Sequence, residues 1–195
     1  MKPIIVLTGP TAVGKTELSL ELARRINGEI ISCDSMQVYR HMDIGTAKIK
    51  PEQMQGIRHF MIDEFDPDEE FNVMIFKERV TSYIEDIYSR GKIPILVGGT
   101  GFYIQAVLKD IQFTKETDTN TRSTYEQLVN EHKGNELYEK LVKVDEQSAK
   151  SIHPNNYKRI IRALEYYDST GEKFSEHNAK EAKRQSPYCF QYFVL

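Results

Sequence analysis

A chain of 195 residues, 39% hydrophobic and 28% charged, can form one domain, with or without an inserted piece, around an ordinary soluble core. No apolar run approaches the roughly 20 residues needed to span a bilayer, which excludes a transmembrane protein and predicts no membrane contact. Two cysteines form neither a disulfide framework nor a zinc site, so we expect a protein of the reducing cytoplasm. A net charge of −3 argues against a general nucleic-acid binder.

The first part of the chain alternates strand and helix patterns. The short β-branched run from Pro3 to Leu7 predicts a buried parallel strand. Residues 29–32 predict a second strand, which ends at Cys33-Asp34. Between the two strands we predict a helix over residues 17–26, because its apolar residues recur at helical spacing: Leu18, Leu20, Leu22, Ala23 and Ile26.

The middle of the chain begins with a long irregular segment. Residues 35–58 show no clear period and predict a loop with a short helix near Glu52, and a loop of this length is typically functional or disordered. Residues 59–65 then predict a strand. Asn72 is suited to cap a helix over residues 73–90, whose apolar face comprises Val73, Phe76, Val80, Ile84 and Ile87.

A buried strand over residues 93–97 and a helix through Leu108 complete this alternation. Strands that alternate with helices predict an α/β fold, in which a parallel sheet is flanked by helices on both faces. The sequence therefore assigns residues 1–112 to an α/β core.

The pattern changes after Ile111. Residues 121–167 are helical throughout, with breaks at 133–134 and 153–154, and predict an α-helical insertion domain over residues 113–185. The apolar segment over residues 186–195 predicts a strand that returns to the sheet of the core. A buried strand with no covering element after it suggests that the protein continues beyond this segment.

The segment between the first strand and the first helix matches the phosphate-binding pattern GxxxxGK[ST] in the context that this pattern requires, and it predicts a P-loop NTPase-like core. Backbone N–H groups and the helix N-terminus bind phosphate oxygens, the lysine adds a positive charge, and the threonine hydroxyl is suited to ligate Mg²⁺. We predict a diphosphate or nucleotide site formed by Gly9, Pro10, Thr11, Ala12, Val13, Gly14, Lys15 and Thr16, with Thr16 as the metal ligand.

The strand over residues 93–97 ends in Gly98-Gly99-Thr100-Gly101. P-loop kinases and ATPases usually place a magnesium-binding aspartate at the end of a second hydrophobic strand, and its absence here argues against ordinary ATP hydrolysis. The glycine N–H groups and the Thr100 hydroxyl are suited to contact the same anion as the P-loop. A tight strand-to-helix turn is the alternative interpretation.

Asp34 ends the second predicted strand. Ligands of open α/β sheets bind at the carboxyl ends of strands, so Asp34 should face the same crevice as the P-loop. There a carboxylate can take a proton from an acceptor as general base. Two other interpretations stay open, a second-shell ligand of Mg²⁺ and a loop cap formed with Ser35.

A basic stretch lies late in the chain. Residues 148–184 carry 8 basic and 5 acidic groups, whereas the chain as a whole is acidic. Within it, Pro154 suits the first turn of a helix, and the residues that follow form an apolar face beside a basic stripe. This pattern is typical of an RNA-backbone platform, and equally of an ordinary amphipathic helix.

Six segments together resemble the bacterial tRNA dimethylallyltransferase (tRNA isopentenyltransferase) family. Their order and spacing cover nearly the whole chain, and jointly they are far more specific than the P-loop alone. They are GPTAVGKT at 9–16, DSMQVYR at 34–40, MDIGTAK at 42–48, RHFMID at 58–63, GGTGFYI at 98–104 and IHPNNYKRIIRALE at 152–165.

The resemblance implies transfer of a dimethylallyl group from dimethylallyl diphosphate to the exocyclic amine of the adenosine 3′ of the tRNA anticodon. By the same resemblance Asp34 is the general base, while Lys15, Thr16 and Mg²⁺ stabilise charge as the carbon–oxygen bond breaks. Thr100 helps to place the reacting groups. Base flipping is expected, because the adenosine must leave its stack to reach the crevice.

By the resemblance, contacts with the anticodon arm of tRNA are implied for two clusters and two further residues. The residues are Asp34, Ser35, Met36, Gln37, Thr100, Arg122, Lys158, Arg159, Ile160, Ile161 and Arg162. We also expect a monomer.

The chain departs from the family pattern in length, because family members continue past the last residue here. We therefore expect residues 1–195 alone to lack full activity. Three other functions remain open. They are a small-molecule P-loop kinase, an adenylate isopentenyltransferase with AMP or ATP as acceptor, and a non-catalytic tRNA-binding fragment.

Overall fold

The structure, a computed structural model, describes residues 2–113 and 119–195. The chain divides into two compact units, one formed by residues 1–111 together with 185–195 and the other by residues 112–184. The sequence predicted the unit boundaries between residues 112 and 113 and between residues 185 and 186.

The first unit is built on a parallel β-sheet of five strands in the order β3-β2-β4-β1-β5. This sheet confirms the predicted α/β class. The strands are β1 (Lys2–Thr8), β2 (Gly28–Ser32), β3 (His59–Phe60), β4 (Ile93–Gly98) and β5 (Tyr188–Val194).

Three helices and one short 3₁₀ turn connect the strands: α1 (Lys15–Ile26), α2 (Val73–Ser89), α3 (Gly101–Leu108) and the turn Pro51–Gln53. Asn72 caps α2 as predicted, because its side chain accepts hydrogen bonds from the backbone N–H groups of Met74 and Ile75. The buried face of α2 also follows the predicted spacing.

The sheet separates two apolar clusters, because successive side chains of a strand point to opposite faces. Ile31 of β2 and Leu96 of β4 belong to the cluster that contains the buried side chains of α2 and α3. Their neighbours Ile30 and Ile95 belong to the cluster that contains Leu20 of α1. The central strands are therefore buried on both sides, as the uninterrupted apolar runs predicted.

Two details of the predicted elements are wrong. Helix α1 buries Leu20 and Ala23, whereas Leu18 is 41% exposed. The strand predicted over residues 59–65 ends at Phe60, because Met61 (φ 61°) and Asp63 (φ 54°) adopt the left-handed conformation that no strand can continue through.

Strand β5 returns to the sheet as predicted, where it pairs with β1, but it is not buried as the sequence predicted. It occupies the last position in the sheet, and its large side chains are substantially exposed: Phe190, Tyr192, Phe193 and Val194. The apolar composition of the segment predicted burial on both faces, whereas an edge position leaves these side chains in contact with solvent.

The second unit consists of helices α4 (Thr119–Asn130), α5 (Gly134–Val144), α6 (Glu146–Ser151), α7 (Tyr157–Thr170) and α8 (Phe174–Ala182). The predicted breaks are both present, and a third occurs at Asp145. Helix α8 was not predicted. No helix of the described residues in either unit has the length and apolar character needed to cross a bilayer.

Helix α7 does not begin at Pro154. Its first residue is Tyr157, and the side chain of Asn156 caps it by accepting a hydrogen bond from the backbone N–H of Arg159. Pro154 lies in the turn before the helix, in which the N–H of Asn156 bonds to the carbonyl of His153 at 2.8 Å.

Asp145 holds three elements of the second unit together. Its carboxylate is 1% exposed and accepts hydrogen bonds from the backbone N–H and the hydroxyl of both Ser148 and Ser175, at 2.6–3.0 Å. Burial alone would raise the pKa of this carboxyl group, but the hydrogen bonds from Ser148 and Ser175 outweigh burial and lower it. Asp145 is therefore charged in the folded protein and stabilises it in that form.

We expect Asp145→Ala to lower the free energy of unfolding by about 2–3 kcal/mol at pH 7, because the buried N–H of Ser148 and the partly buried N–H of Ser175 lose a charged acceptor. The control Glu146→Ala removes an exposed carboxylate that pairs with Lys150, and should leave the free energy of unfolding nearly unchanged. Because the folded pKa is lowered, the stabilisation is complete above the unfolded pKa of Asp and is lost as pH falls through the folded pKa. Urea titrations of both variants at pH 7 and pH 3 test this, and a difference that persists undiminished at pH 3 would contradict it.

Candidate active site

The segment from Gly9 to Lys15 is a tight loop between β1 and α1. Gly9 (φ 147°), Ala12 (φ 68°) and Gly14 (φ 89°) all have positive φ values. At Gly9 a side chain is also excluded by space, because a Cβ atom would lie 2.7 Å from the carbonyl oxygen of Leu195. The loop is thus folded into a compact turn with left-handed residues, a backbone shape whose N–H groups commonly form anion-binding sites.

The N-terminus of helix α1, which is the positive end of the helix dipole, follows this loop directly. Gly14 occupies its N-cap position and has no side chain to cap the helix, so the first N–H groups of α1 are suited to receive an anion. The Lys15 ammonium lies over the loop and donates to the carbonyl oxygens of Gly9 at 2.9 Å and Pro10 at 2.5 Å. N–H dipoles and a positive side chain therefore converge where the sequence predicted phosphate binding.

A cavity of about 970 Å³ opens beside this loop. Every predicted P-loop residue except Val13 lines it, and so do Asp34, Met36 and Gln37. The structure thus places Asp34 and the P-loop at one cavity, as the strand order of an α/β sheet predicted. Ser35 and Thr100 do not line it.

Asp34 is half-buried, and one of its carboxylate oxygens is fixed by the loop that it begins. Oδ1 accepts hydrogen bonds from the backbone N–H groups of Met36 at 2.8 Å and Gln37 at 3.3 Å. Oδ2 makes no hydrogen bond to any residue that the structure describes. The carboxylate is therefore held in place by one oxygen while the other can accept a proton, and the predicted loop cap forms with Met36 and Gln37 instead of Ser35.

The glycine turn after β4 packs directly against the residue that precedes Asp34. A Cβ atom at Gly98 would lie 2.5 Å from the carbonyl oxygen of Cys33, so only glycine fits there. The same carbonyl accepts a hydrogen bond from the backbone N–H of Thr100 at 3.2 Å. Gly98 and Gly99 line the cavity. Thr100 supports the backbone beside Asp34 through its bond to Cys33. The role of Thr100 in placing the reacting groups stays a prediction.

Part of the cavity wall comes from the later part of the long irregular segment and from the residues just after it. The sequence predicted no site residue there, although most of these wall residues fall within the motifs at 42–48 and 58–63. His59, the first residue of β3, is one of these wall residues. Its Nδ1 lies 2.9 Å from the carbonyl oxygen of Ile57, and burial lowers its pKa, so it is neutral at neutral pH. The other wall residues from this segment and its end are Gly45, Thr46, Ala47, Ile49 and Ile62.

Gln37 connects this wall to the sheet. Its amide oxygen accepts a hydrogen bond from the hydroxyl of Ser32, at the end of β2, at 3.0 Å. Its amide nitrogen donates to the carbonyl oxygens of Thr46 at 3.1 Å and Ala47 at 3.4 Å. Both the amide oxygen and the amide nitrogen of Gln37 thus make hydrogen bonds that shape the cavity. The family resemblance implied only a contact with tRNA for this residue.

The remaining predicted RNA contacts lie in the second unit. Lys158 and Arg159 are exposed on α7 and Arg162 is half-buried, and none of the three has an acidic partner within 4 Å among the described residues. Ile160 and Ile161 are buried in the core of the unit, so they hold the basic residues in place and do not reach solvent. Arg122 on α4 pairs with Glu126 at 3.0 Å.

The donors near the P-loop suit a hard cation only in part. Thr16 lines the cavity and offers a hydroxyl oxygen. Among the described residues no group of three or more His, Cys, Asp or Glu side chains is placed to hold a metal ion. Such a site fits Mg²⁺ that takes most of its ligands from phosphate oxygens and water, which is the usual arrangement in phosphate-binding proteins.

Comparison with known proteins agrees with this geometry. A model of the IPP transferase family matches residues 37–195. The chain belongs to the IPP transferase family. A curated tRNA dimethylallyltransferase of Lachnoclostridium phytofermentans is 59% identical over 196 residues, which cover 100% of this chain and 63% of the relative. One from Bacillus cytotoxicus is 54% identical over 179 residues, covering 91% of this chain and 57% of the relative.

These relatives confirm the resemblance predicted from the six motifs. The matched family segment begins after the P-loop and Asp34, but the first relative covers the whole chain, including both. The chain spans less than two thirds of the length of either relative.

Solved structures of IPP transferases extend the likeness to the fold. A eukaryotic dimethylallyltransferase acting on tRNA matches with a TM-score of 0.87 at 36% identity, covering 100% of this chain and 48% of that one. A tRNA isopentenylpyrophosphate transferase from Staphylococcus epidermidis matches with a TM-score of 0.62 at 45% identity, covering 100% of this chain and 63% of that one. The P-loop NTPase-like fold predicted from the sequence is confirmed.

Proposed function

We propose that the whole protein transfers a dimethylallyl group from dimethylallyl diphosphate to the exocyclic amine of the adenosine 3′ of the anticodon in tRNA. The observation that carries this proposal is the single cavity lined by both the P-loop and Asp34. An anion site and a carboxylate with one unbonded oxygen are what a substitution with a diphosphate leaving group and an amine nucleophile requires. Relatives that span the whole chain bear the name of this activity.

The P-loop would hold the diphosphate, which is a leaving group in this reaction. As the bond between the allylic carbon and oxygen breaks, negative charge grows on the diphosphate. The N–H groups at the start of α1 and the Lys15 ammonium are positioned to stabilise that charge. Mg²⁺ held by the Thr16 hydroxyl would supply further positive charge when bound.

Asp34 would act on the nucleophile. The adenosine amine forms the new carbon–nitrogen bond, and its surplus proton passes to Oδ2 of Asp34. The hydrogen bonds from Met36 and Gln37 keep the carboxylate in place for this transfer. Because an adenine inside a helical stack cannot enter the cavity, the nucleotide must flip out of the anticodon loop.

The second unit would contribute to holding tRNA. Lys158, Arg159 and Arg162 lie on one helix without acidic partners in the described residues, which suits them to phosphate contacts. Buried Ile160 and Ile161 fix that helix in the unit. The proposal includes a monomeric, cytoplasmic protein.

Labelled dimethylallyl diphosphate supplied with unmodified tRNA, with AMP or with no acceptor tests the proposal on the whole protein. We expect label in tRNA alone. Label in AMP would replace the proposal by an adenylate isopentenyltransferase. Phosphoryl transfer from labelled ATP to a small acceptor, without any prenyl transfer, would replace it by a kinase.

A further inference from the structure

Lys48 is a buried cation in the irregular segment that forms part of the cavity wall. Only 5% of its side chain is exposed, an unusual degree of burial for lysine. Its ammonium donates to the carbonyl oxygen of Tyr39 at 2.7 Å, to Oδ1 of Asp43 at 2.9 Å and to Oδ1 of Asp63 at 2.6 Å. All three hydrogens of the ammonium therefore have acceptors.

These three acceptors come from separate parts of the segment. Tyr39 follows the turn that Asp34 begins, Asp43 lies in the next bend, and Asp63 follows β3. Burial alone would lower the pKa of Lys48, but hydrogen bonds to Asp63 and Asp43 outweigh it and the pKa is raised. The ammonium is thus charged, and it neutralises two carboxylates that would otherwise repel each other.

The segment whose parts are joined by the Lys48 ammonium forms part of the cavity wall. Gly45, Thr46 and Ala47 lie immediately before Lys48 and line the cavity. Few regular elements hold them, since only the short turn Pro51–Gln53 and β3 lie between the end of β2 and α2. Backbone hydrogen bonds pair residues 37–40 with residues 63–65. Residues 46 and 47 are instead held by side-chain hydrogen bonds from Gln37, and Lys48 links that part of the wall to Tyr39 and Asp63.

We propose that Lys48 is a positioning residue for the acceptor: its ammonium clamps residues 37–47 in the shape that admits the adenosine to Asp34. This inference rests on the proposed function, because the acceptor is the adenosine named there. Asp34 itself is held by its own turn and by strand pairing of β2 with β4, independently of Lys48. Loss of the clamp should therefore change acceptor binding more than the chemical step.

Lys48→Met keeps the aliphatic stem and removes the charge. In the whole protein we expect a roughly tenfold higher KM for tRNA, because the wall that receives the nucleotide is no longer held in its bound shape. We expect kcat and the affinity for dimethylallyl diphosphate to change less than about threefold. Lys48→Arg, which can reach the same acceptors, should restore most of the loss. Lys50→Met, at an exposed lysine two residues along, is the matched control and should resemble the unchanged protein.

Amide hydrogen exchange gives a second readout that does not depend on activity. Lys48→Met should speed exchange of the hydrogen-bonded amides in residues 37–40 and 63–65 roughly tenfold or more, because the ammonium links Tyr39 to Asp63, while β1 and β4 exchange as before. Unchanged exchange of those amides would overturn the proposal, and so would faster exchange throughout the sheet with a lowered unfolding midpoint. If the protein transfers no dimethylallyl group at all, the proposed function fails while the exchange measurement still decides whether Lys48 clamps the wall.

Discussion

Replacing Asp34 by asparagine is expected to slow dimethylallyl transfer roughly 10²–10⁴-fold while leaving the affinity for dimethylallyl diphosphate nearly unchanged. An asparagine oxygen can still accept the hydrogen bonds that Met36 and Gln37 donate to Oδ1, so the turn keeps its shape. What disappears is the second carboxylate oxygen as a proton acceptor. Single-turnover rates with labelled donor and unmodified tRNA, together with calorimetric donor binding, measure the two quantities separately.

Asp68→Asn is the matched control, because Asp68 is an exposed carboxylate of the same unit. It should transfer the dimethylallyl group at the normal rate. Near-normal turnover in Asp34→Asn would remove Asp34 from the role of general base. A parallel loss of donor binding would instead assign the carboxylate to Mg²⁺, which the sequence left open as an alternative.

Replacing Lys15 by methionine is expected to weaken binding of inorganic diphosphate and of dimethylallyl diphosphate roughly 10–100-fold, the usual value of a hydrogen bond to a charged group. The fold should lose little stability. Lys15 is the first residue of α1, where a positive charge opposes the helix dipole, and relief of that repulsion offsets the loss of its hydrogen bonds to the solvent-accessible carbonyl oxygens of Gly9 and Pro10. Ligand affinity should thus fall far more than the stability of the fold.

Calorimetric titration with each ligand and a thermal unfolding curve test both parts. The control Arg24→Ala removes the same charge from an exposed position in the last turn of α1. Its diphosphate affinity should match that of the unchanged protein. Equal affinity in Lys15→Met would show that the loop holds the anion through its N–H groups alone.

The sequence predicted the sheet and the two ends of the site because both depend on local rules. Gly9–Thr16 follows a strand and precedes a helix, and Asp34 ends the next strand, so sheet geometry brings them to one cavity whatever else the chain does. The helix over residues 73–90 was equally clear, since its apolar period and its Asn72 cap are both local features.

The remaining part of the site depends on contacts distant in sequence. Thr46, His59 and Ile62 fall within the family motifs at 42–48 and 58–63, but no local rule places them at a cavity wall. They line it because β3 pairs with β2 and because Gln37 bonds to the backbone of Thr46. The exposure of β5 was missed for a related reason. An apolar strand has the same composition at the edge of a sheet as at its centre, and only the strand order distinguishes the two.

Cys33, which lies between β2 and Asp34, has a consequence for chemical labelling of the protein. Its thiol is fully buried, burial raises its pKa, and its backbone N–H is bonded to Val97 at 2.7 Å. Cys189 on β5 is exposed, so a thiol reagent reaches that residue first in the folded chain. The slower rate at which the reagent then modifies Cys33 reports how often β2 separates from β4. This cysteine is therefore an internal probe for opening of the sheet beside Asp34.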